Sequence, residues 1–205
     1  MAMSNGWVEA HNHLNADPVM RQIIKKAGDC KLSRRTDYFP FLCKAVFNQQ
    51  LSGKIARLLY GRFAAHFPKK KPTPPRAIGL LSQRGDRFRR ACGLSKQKQK
   101  YLLDLARHFN DGRIPTRRLA SMTDDQIIES LTAVHGIGRW TAEMFLIFVL
   151  NRPDVWPVDD LGVREAFKRA YKLPSRLKPK ELTNRAEHWR PYRSVATWYL
   201  WRSLD

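Results

Sequence analysis

Cysteine, acidic residues and long apolar runs are all scarce in this chain. Its 205 residues include three cysteines, Cys30, Cys43 and Cys92, with no close spacing, which argues against a secreted disulfide framework, a zinc finger and a four-cysteine iron–sulfur cluster. A reducing compartment is expected. The longest unbroken apolar run, Met144 to Leu150, has seven residues, against the ~20 that a membrane-spanning helix needs. The N-terminal stretch MAMSNGWVEAHNHLNADP holds no apolar core of the kind that precedes signal cleavage. An intracellular protein with no membrane partner is the expectation. Only 18 Asp and Glu oppose 38 Lys and Arg, a net charge of +20. That imbalance points to a polyanion partner, and an aromatic content of 11% is too high for a basic tail. With 43% hydrophobic residues the chain can bury one substantial core, or two small lobes sharing a cleft.

Strand-like alternation is missing, and apolar spacing is helical almost wherever it can be read. Ile55, Leu58, Leu59 and Phe63 form one such set, and Tyr101, Leu102, Leu105 and Phe109 another. Ser95 reads as an N-cap, Gly112 as a stop, and Thr123 with Gln126 as a capping box. An all-α protein of about eight to ten helices follows from typical helix lengths. PKKKPTPP (Pro68 to Pro75) and LPSRLKPKEL (Leu173 to Leu182) cannot be helix interiors. They read as surface loops within one compact unit spanning 1–205, and no internal repeat is present. Two lobes are expected, 45–150 with a hairpin at 124–150, and 1–44 plus 151–205.

From Thr123 to Leu150 the pattern is helix, tight turn, helix: TDDQIIESLTAV, HGIG, RWTAEMFLIFVL. Gly136 and Gly138 flank Ile137, where two residues without a Cβ let the backbone bend tightly and approach another group. Amides at the start of the second helix can hold one DNA phosphate without reading sequence. An isolated G-x-G would be only a turn between packed helices. Here it sits in a strongly basic chain, precedes an almost wholly apolar helix, and is followed by WPVDDLGVREAF.

LTAVHGIGRWTAEMF followed by VDD, with Asp160 twenty positions after Trp140, resembles the helix-hairpin-helix (HhH-GPD) DNA glycosylases, and among them the AlkA-like 3-methyladenine group. FNQQLSGKIA (Phe47 to Ala56), ACGLSKQKQKYLLDLA (Ala91 to Ala106) and WRPYRSVATWYLW (Trp189 to Trp201) resemble further segments of that family in the same order. His135 stands where the family usually has proline. Larger AlkA-type members add an N-terminal β-rich domain for which this length leaves no room, so a compact all-α version is expected, with two helical lobes flanking a DNA-binding cleft.

The resemblance implies a catalytic aspartate, Asp160, that stabilises an oxocarbenium-like transition state and orients or deprotonates the attacking water. Asp159 competes for that role, and either could instead cap the helix of LGVREAF. An N-alkylated purine carries positive charge, and an aromatic pocket favours it by about 0.5–2 kcal/mol of cation–π attraction. Trp140 and Trp201 match base-pocket positions reached by a flipped nucleotide, whereas Trp7, Trp156 and Trp189 read as core and Trp198 stays open. Met144 and Leu161 stand where relatives can carry further aromatics. Strand-cutting members usually have lysine where this chain has Trp140, so a monofunctional enzyme is implied.

Gly136, Ile137, Gly138, Arg139 and Thr141 are the implied phosphate-binding set. Gln50 or Leu51 is the wedge that fills the gap left by the flipped base, with Leu51 as core and Gln49 as a cap the competing assignment. Arg193 falls near the pocket, as a phosphate contact or a surface charge. The hairpin carbonyls of Thr132, Val134 and Ile137 are the implied ligands of a structural Na+ or K+ ion. No catalytic cofactor is implied, and His11 and His13 lack a partner motif for a metal site. The expected partner is double-stranded DNA with alkylated bases, and the expected state a monomer. Two other functions remain open: a glycosylase for oxidised or mispaired bases, and a non-catalytic DNA-binding module.

Overall fold

Capping side chains set where many of the helices begin. A computed structural model describes residues 5–83 and 85–205, and among them are twelve α-helices and no strand. The first are α1 (Asn5–Leu14), α2 (Pro18–Ala27), α3 (Tyr38–Asn48), α4 (Gly53–Ala64), α5 (Pro74–Gln83) and α6 (Gly85–Ala91). They are followed by α7 (Lys96–Asn110), α8 (Asp124–Thr132), α9 (Arg139–Phe145), α10 (Leu161–Ala170), α11 (Pro179–Ala186) and α12 (Arg193–Arg202). Ser95 Oγ accepts the Lys98 N–H at 3.1 Å to start α7, and Gly112, at φ 72°, follows its end. Thr123 and Gln126 form the reciprocal capping box, at 2.9 and 3.3 Å.

The helix count exceeds eight to ten because α6 and α9 have seven residues each and α11 has eight, shorter than typical lengths assume. Part of each proline-rich stretch is also helical. Pro74 begins α5 and Pro179 begins α11, at first-turn positions where the missing N–H costs nothing.

The chain divides into two compact units. One comprises the described part of Met1–Arg34 with Leu146–Asp205, the other Arg35–Phe145, so the boundaries fall at 34 and 145 where the sequence suggested 44 and 150. The second boundary has a visible cause. The helical path turns π-helical over Leu146–Leu150, and Phe148 stacks on Trp201 with ring centroids 5.4 Å apart, which ties that segment to α12.

In the 35–145 unit, α3 packs on α4, α7 and α9, and α7 also packs on α5. Phe47 and Phe63 meet in its core, both fully buried, with Phe67 against Phe63 at 4.9 Å. Of the apolar set in α4, Phe63 is core, whereas Ile55 and Leu58 are exposed.

In the other unit α12 packs against α1, α2 and α10, with eight consecutive residues from Arg193 to Leu200 buried, the pattern of a helix enclosed on all sides. Asp17 organises much of the rest. As N-cap of α2 its Oδ1 accepts the Val19 and Met20 amides at 2.8 and 3.2 Å. Its Oδ2 accepts the Trp189 indole N–H at 3.2 Å and the Tyr171 hydroxyl, and lies 3.0 Å from His188 Nε2. Burial raises the Asp17 carboxyl, yet the bonds from Tyr171, His188 and the two amides outweigh it and hold the group below the ordinary carboxylate range. Trp7, buried, donates to the Leu32 carbonyl at 2.8 Å.

Replacing Asp17 by alanine leaves these donors without their acceptor and should lower the unfolding free energy by about 2–4 kcal/mol in urea titrations. A depressed folded-state pKa contributes stability that is present above the unfolded value and lost as pH falls through the folded one. Wild-type stability should therefore drop more steeply than that of Asp17→Asn between about pH 5 and pH 3.

Candidate active site and nucleic-acid interface

Asp160 starts α10 as its N-cap, with extended backbone (φ −67°, ψ 119°) and Oδ1 accepting the Val163 N–H at 2.7 Å. The same oxygen accepts the Trp201 indole N–H at 3.1 Å. The carboxylate is buried, whereas Asp159 beside it is exposed. The capping role and the candidate catalytic role thus fall on one residue. Trp201, partly exposed, presents a ring on which Phe148 stacks with an interplanar angle of 18°. Gly162 makes room for this arrangement. A Cβ there would lie 3.0 Å from Asp160 Oδ1 and 3.3 Å from the Trp201 ring. Neither Phe148 nor Gly162 stood out in the sequence. Phe148 is the only residue from Thr141 to Leu150 that is half-buried rather than buried, a distinction that an unbroken apolar run conceals. Leu161 is exposed next to the carboxylate, and Met144 is buried.

Arg193 requires a correction. It is buried, and its guanidinium is committed to Asp154 through Nε to Oδ1 at 2.7 Å and Nη2 to Oδ2 at 3.0 Å, with Glu187 3.4 Å away. A guanidinium held bidentately inside the fold has no donors directed to a phosphate. It anchors the segment after Leu150 to the start of α12, where Ser194 N–H also donates to the Pro153 carbonyl at 2.9 Å. Among the tryptophans, Trp189 and Trp198 are buried and Trp156 half-buried, edge-on to Trp189.

The hairpin lies in the 35–145 unit. Gly136 has φ 85°, and a Cβ there would overlap the Tyr101 ring, so both backbone and packing demand glycine. Gly138 differs: its Cβ position has open space on all sides, as a close approach from outside would need. The helical ladder of α9 begins with Ala142 N–H to the Gly138 carbonyl at 3.1 Å, and the amides from Gly138 to Thr141 precede it. Arg139 is exposed and bonds Glu143 at 3.0 Å. The Ile137 and Thr141 side chains are buried, and the Ile137 N–H, expected to meet a phosphate, is instead donated to the Val134 carbonyl at 3.0 Å. Trp140, matched like Trp201 to a base-pocket position, belongs to this unit, with half of its surface exposed.

His135, in the place of the proline, donates its backbone N–H to Asp104 Oδ2 at 2.8 Å, and its Nδ1 lies 2.9 Å from the same oxygen. Burial raises the Asp104 carboxyl, but the His135 bonds and the nearby His108 and His135 rings outweigh it and keep the group below the ordinary range. The Gln50–Leu51 pair is exposed, with Gln50 at φ 56°. Leu51 is therefore not core. Gln49 is the C-cap residue of α3, and its amide reaches across to the Gly136 carbonyl at 2.7 Å.

A glycine-turned hairpin of two helices defines a helix-hairpin-helix protein. The description "HhH-GPD superfamily base excision DNA repair protein" matches residues 43–191. DNA-3-methyladenine glycosylase 1 of Schizosaccharomyces pombe is 34% identical over 201 residues, covering 95% of this chain and 86% of that one. A solved structure of the S. pombe 3-methyladenine DNA glycosylase in complex with abasic DNA superposes with a TM-score of 0.82 at 34% identity, over 94% of this chain and 95% of that one. DNA-3-methyladenine glycosidase from Bacillus halodurans gives a TM-score of 0.81 at 34% identity, over 94% and 87%. The chain belongs to the HhH-GPD superfamily of base excision DNA repair proteins.

Because Arg193 is held in the fold, Arg193→Ala should cost about 2 kcal/mol of stability in urea denaturation by removing the bidentate partner of Asp154, which keeps Arg190 Nη1 at 2.9 Å as its cationic partner. The slope of DNA affinity against salt should stay as in the wild type, since no phosphate contact is lost.

Proposed function

We propose that the chain is a monofunctional DNA glycosylase that hydrolyses the N-glycosidic bond of alkylated purines, of the 3-methyladenine and 7-methylguanine type, flipped out of duplex DNA. The observation that carries this reading is the buried Asp160 carboxylate held by Trp201 and the α10 amide, in a chain 34% identical to a DNA-3-methyladenine glycosylase. As the C1′–N bond breaks, positive charge grows on the sugar. A carboxylate already fixed by two N–H donors stabilises that charge with little reorganisation and orients the attacking water. The alkylated base leaves readily because it departs as a neutral molecule. Trp201 with its stacked Phe148 supplies a π face for the cationic base.

The hairpin contributes the grip on DNA. Backbone amides at Gly136, Gly138, Arg139 and Thr141 hold a phosphate, Arg139 adds charge, and the exposed Trp140 indole is offered to the base pocket. Gln50 or Leu51 enters the duplex. The Thr132, Val134 and Ile137 carbonyls are neutral oxygens on one turn, which the Ile137 N–H to Val134 carbonyl bond closes at 3.0 Å. Such donors suit Na+ or K+, which would supply positive charge toward the phosphate. Residue 140 is tryptophan, so no amine stands there to form a Schiff base with the sugar. Among the described residues no helix is long and apolar enough to cross a membrane.

Incubation with alkylated duplex should release free methylpurines and leave strands that break only after alkali. Strand breaks without alkali, trapped by borohydride, would contradict a monofunctional enzyme. Tight salt-sensitive binding without base release would favour a DNA-binding module.

A further inference from the structure

Hydrogen bonds and one steric contact join the end of α3, just before the Gln50–Leu51 loop, and the hairpin turn to a single face of α7. Lys98 Nζ donates to the Phe47 and Gln49 carbonyls, both at 2.8 Å, and so closes the C-terminal end of α3. Tyr101, three residues on, fills the space that a side chain at Gly136 would occupy. Asp104, three further, holds the N–H of His135. Residues at this spacing lie on the same side of a helix. Across the top, the Gln49 side chain donates to the Gly136 carbonyl at 2.7 Å, linking the loop directly to the turn. Gln50 adopts φ 56°, a conformation that a non-glycine residue keeps only where its surroundings enforce it.

We propose that Gln49 is a positioning residue that locks the Gln50–Leu51 loop to the hairpin turn, so that holding a phosphate and entering the duplex occur in one fixed register. The inference rests on the glycosylase reading, because it takes Gln50 and Leu51 as the group that enters the DNA. Without the Gln49 amide, the hairpin still binds a phosphate and the loop is still present. What is lost is their mutual placement, and misplacement at this scale costs the step that needs both parts at once.

The test uses the full chain and a duplex with a tetrahydrofuran abasic analogue opposite 2-aminopurine, whose fluorescence rises when the stack is entered. No base excision is required. Gln49→Met keeps the length of the side chain and removes its donor, and Gln49→Glu sets a carboxylate against the carbonyl. Both should melt within about 2 °C of the wild type. Both should bind undamaged duplex within about twofold of it, bind the abasic duplex about tenfold more weakly, and lose most of the fluorescence rise. Adding Q50A/L51A to Gln49→Met should weaken abasic binding no further, although Q50A/L51A alone weakens it. A full fluorescence rise in both Gln49 variants would overturn the proposal, as would losses that simply multiply. No rise in the wild type would instead overturn the duplex-entering function on which it rests.

Discussion

One oxygen atom, Asp160 Oδ1, ties two helices of the fold to the carboxylate proposed to carry the chemistry. It accepts the Val163 amide that begins α10 and the Trp201 indole that ends α12. Each donor draws the carboxylate into a fixed orientation, and each is placed by a helix packed in the fold for its own reasons, α10 by one buried face and α12 by burial on all sides. The consequence is preorganisation: the negative charge occupies its position before any substrate arrives. Gly162 permits the indole to come this close, and Phe148 stacks on the indole ring. The site is thus set by backbone capping and aromatic packing, which are the same forces that stabilise the unit containing it.

The other unit follows a comparable logic with different parts. The family's proline stiffens a turn by restricting φ and lacks a donor. With histidine at 135 the backbone keeps its N–H, and Asp104 accepts it together with the ring. A long-range hydrogen bond thus holds the turn where a proline would act through a local covalent restriction. Tyr101 and Gln49 then act on the next residue, Gly136, from two further directions. Rigidity at the turn comes from α7 and α3.

Local signals were the legible ones. Caps at Ser95 and Thr123, the glycine pair and the Val-Asp-Asp segment each depend on a few consecutive residues, and the structure places the first two as helix starts. The partners of buried charges were not legible, because nothing near Arg193 in sequence announces Asp154, thirty-nine residues earlier. In a chain of net charge +20, a buried arginine looks like its many exposed neighbours. Gln49 and Gly136 are separated by 87 residues, and the Asp17 network collects Tyr171, His188 and Trp189 from the far end of the chain. Such contacts exist only once the helices have packed.

In the proposed mechanism Asp160 performs chemistry in addition to capping α10, and Asp160→Asn separates the two roles. Asparagine caps helices about as well as aspartate, so thermal stability should change little. Single-turnover release of 7-methylguanine from alkylated duplex should fall by about a hundredfold or more, because the neutral amide cannot stabilise the sugar cation. Release at the wild-type rate by a folded Asp160→Asn protein would contradict the account and leave Asp160 with its structural role alone.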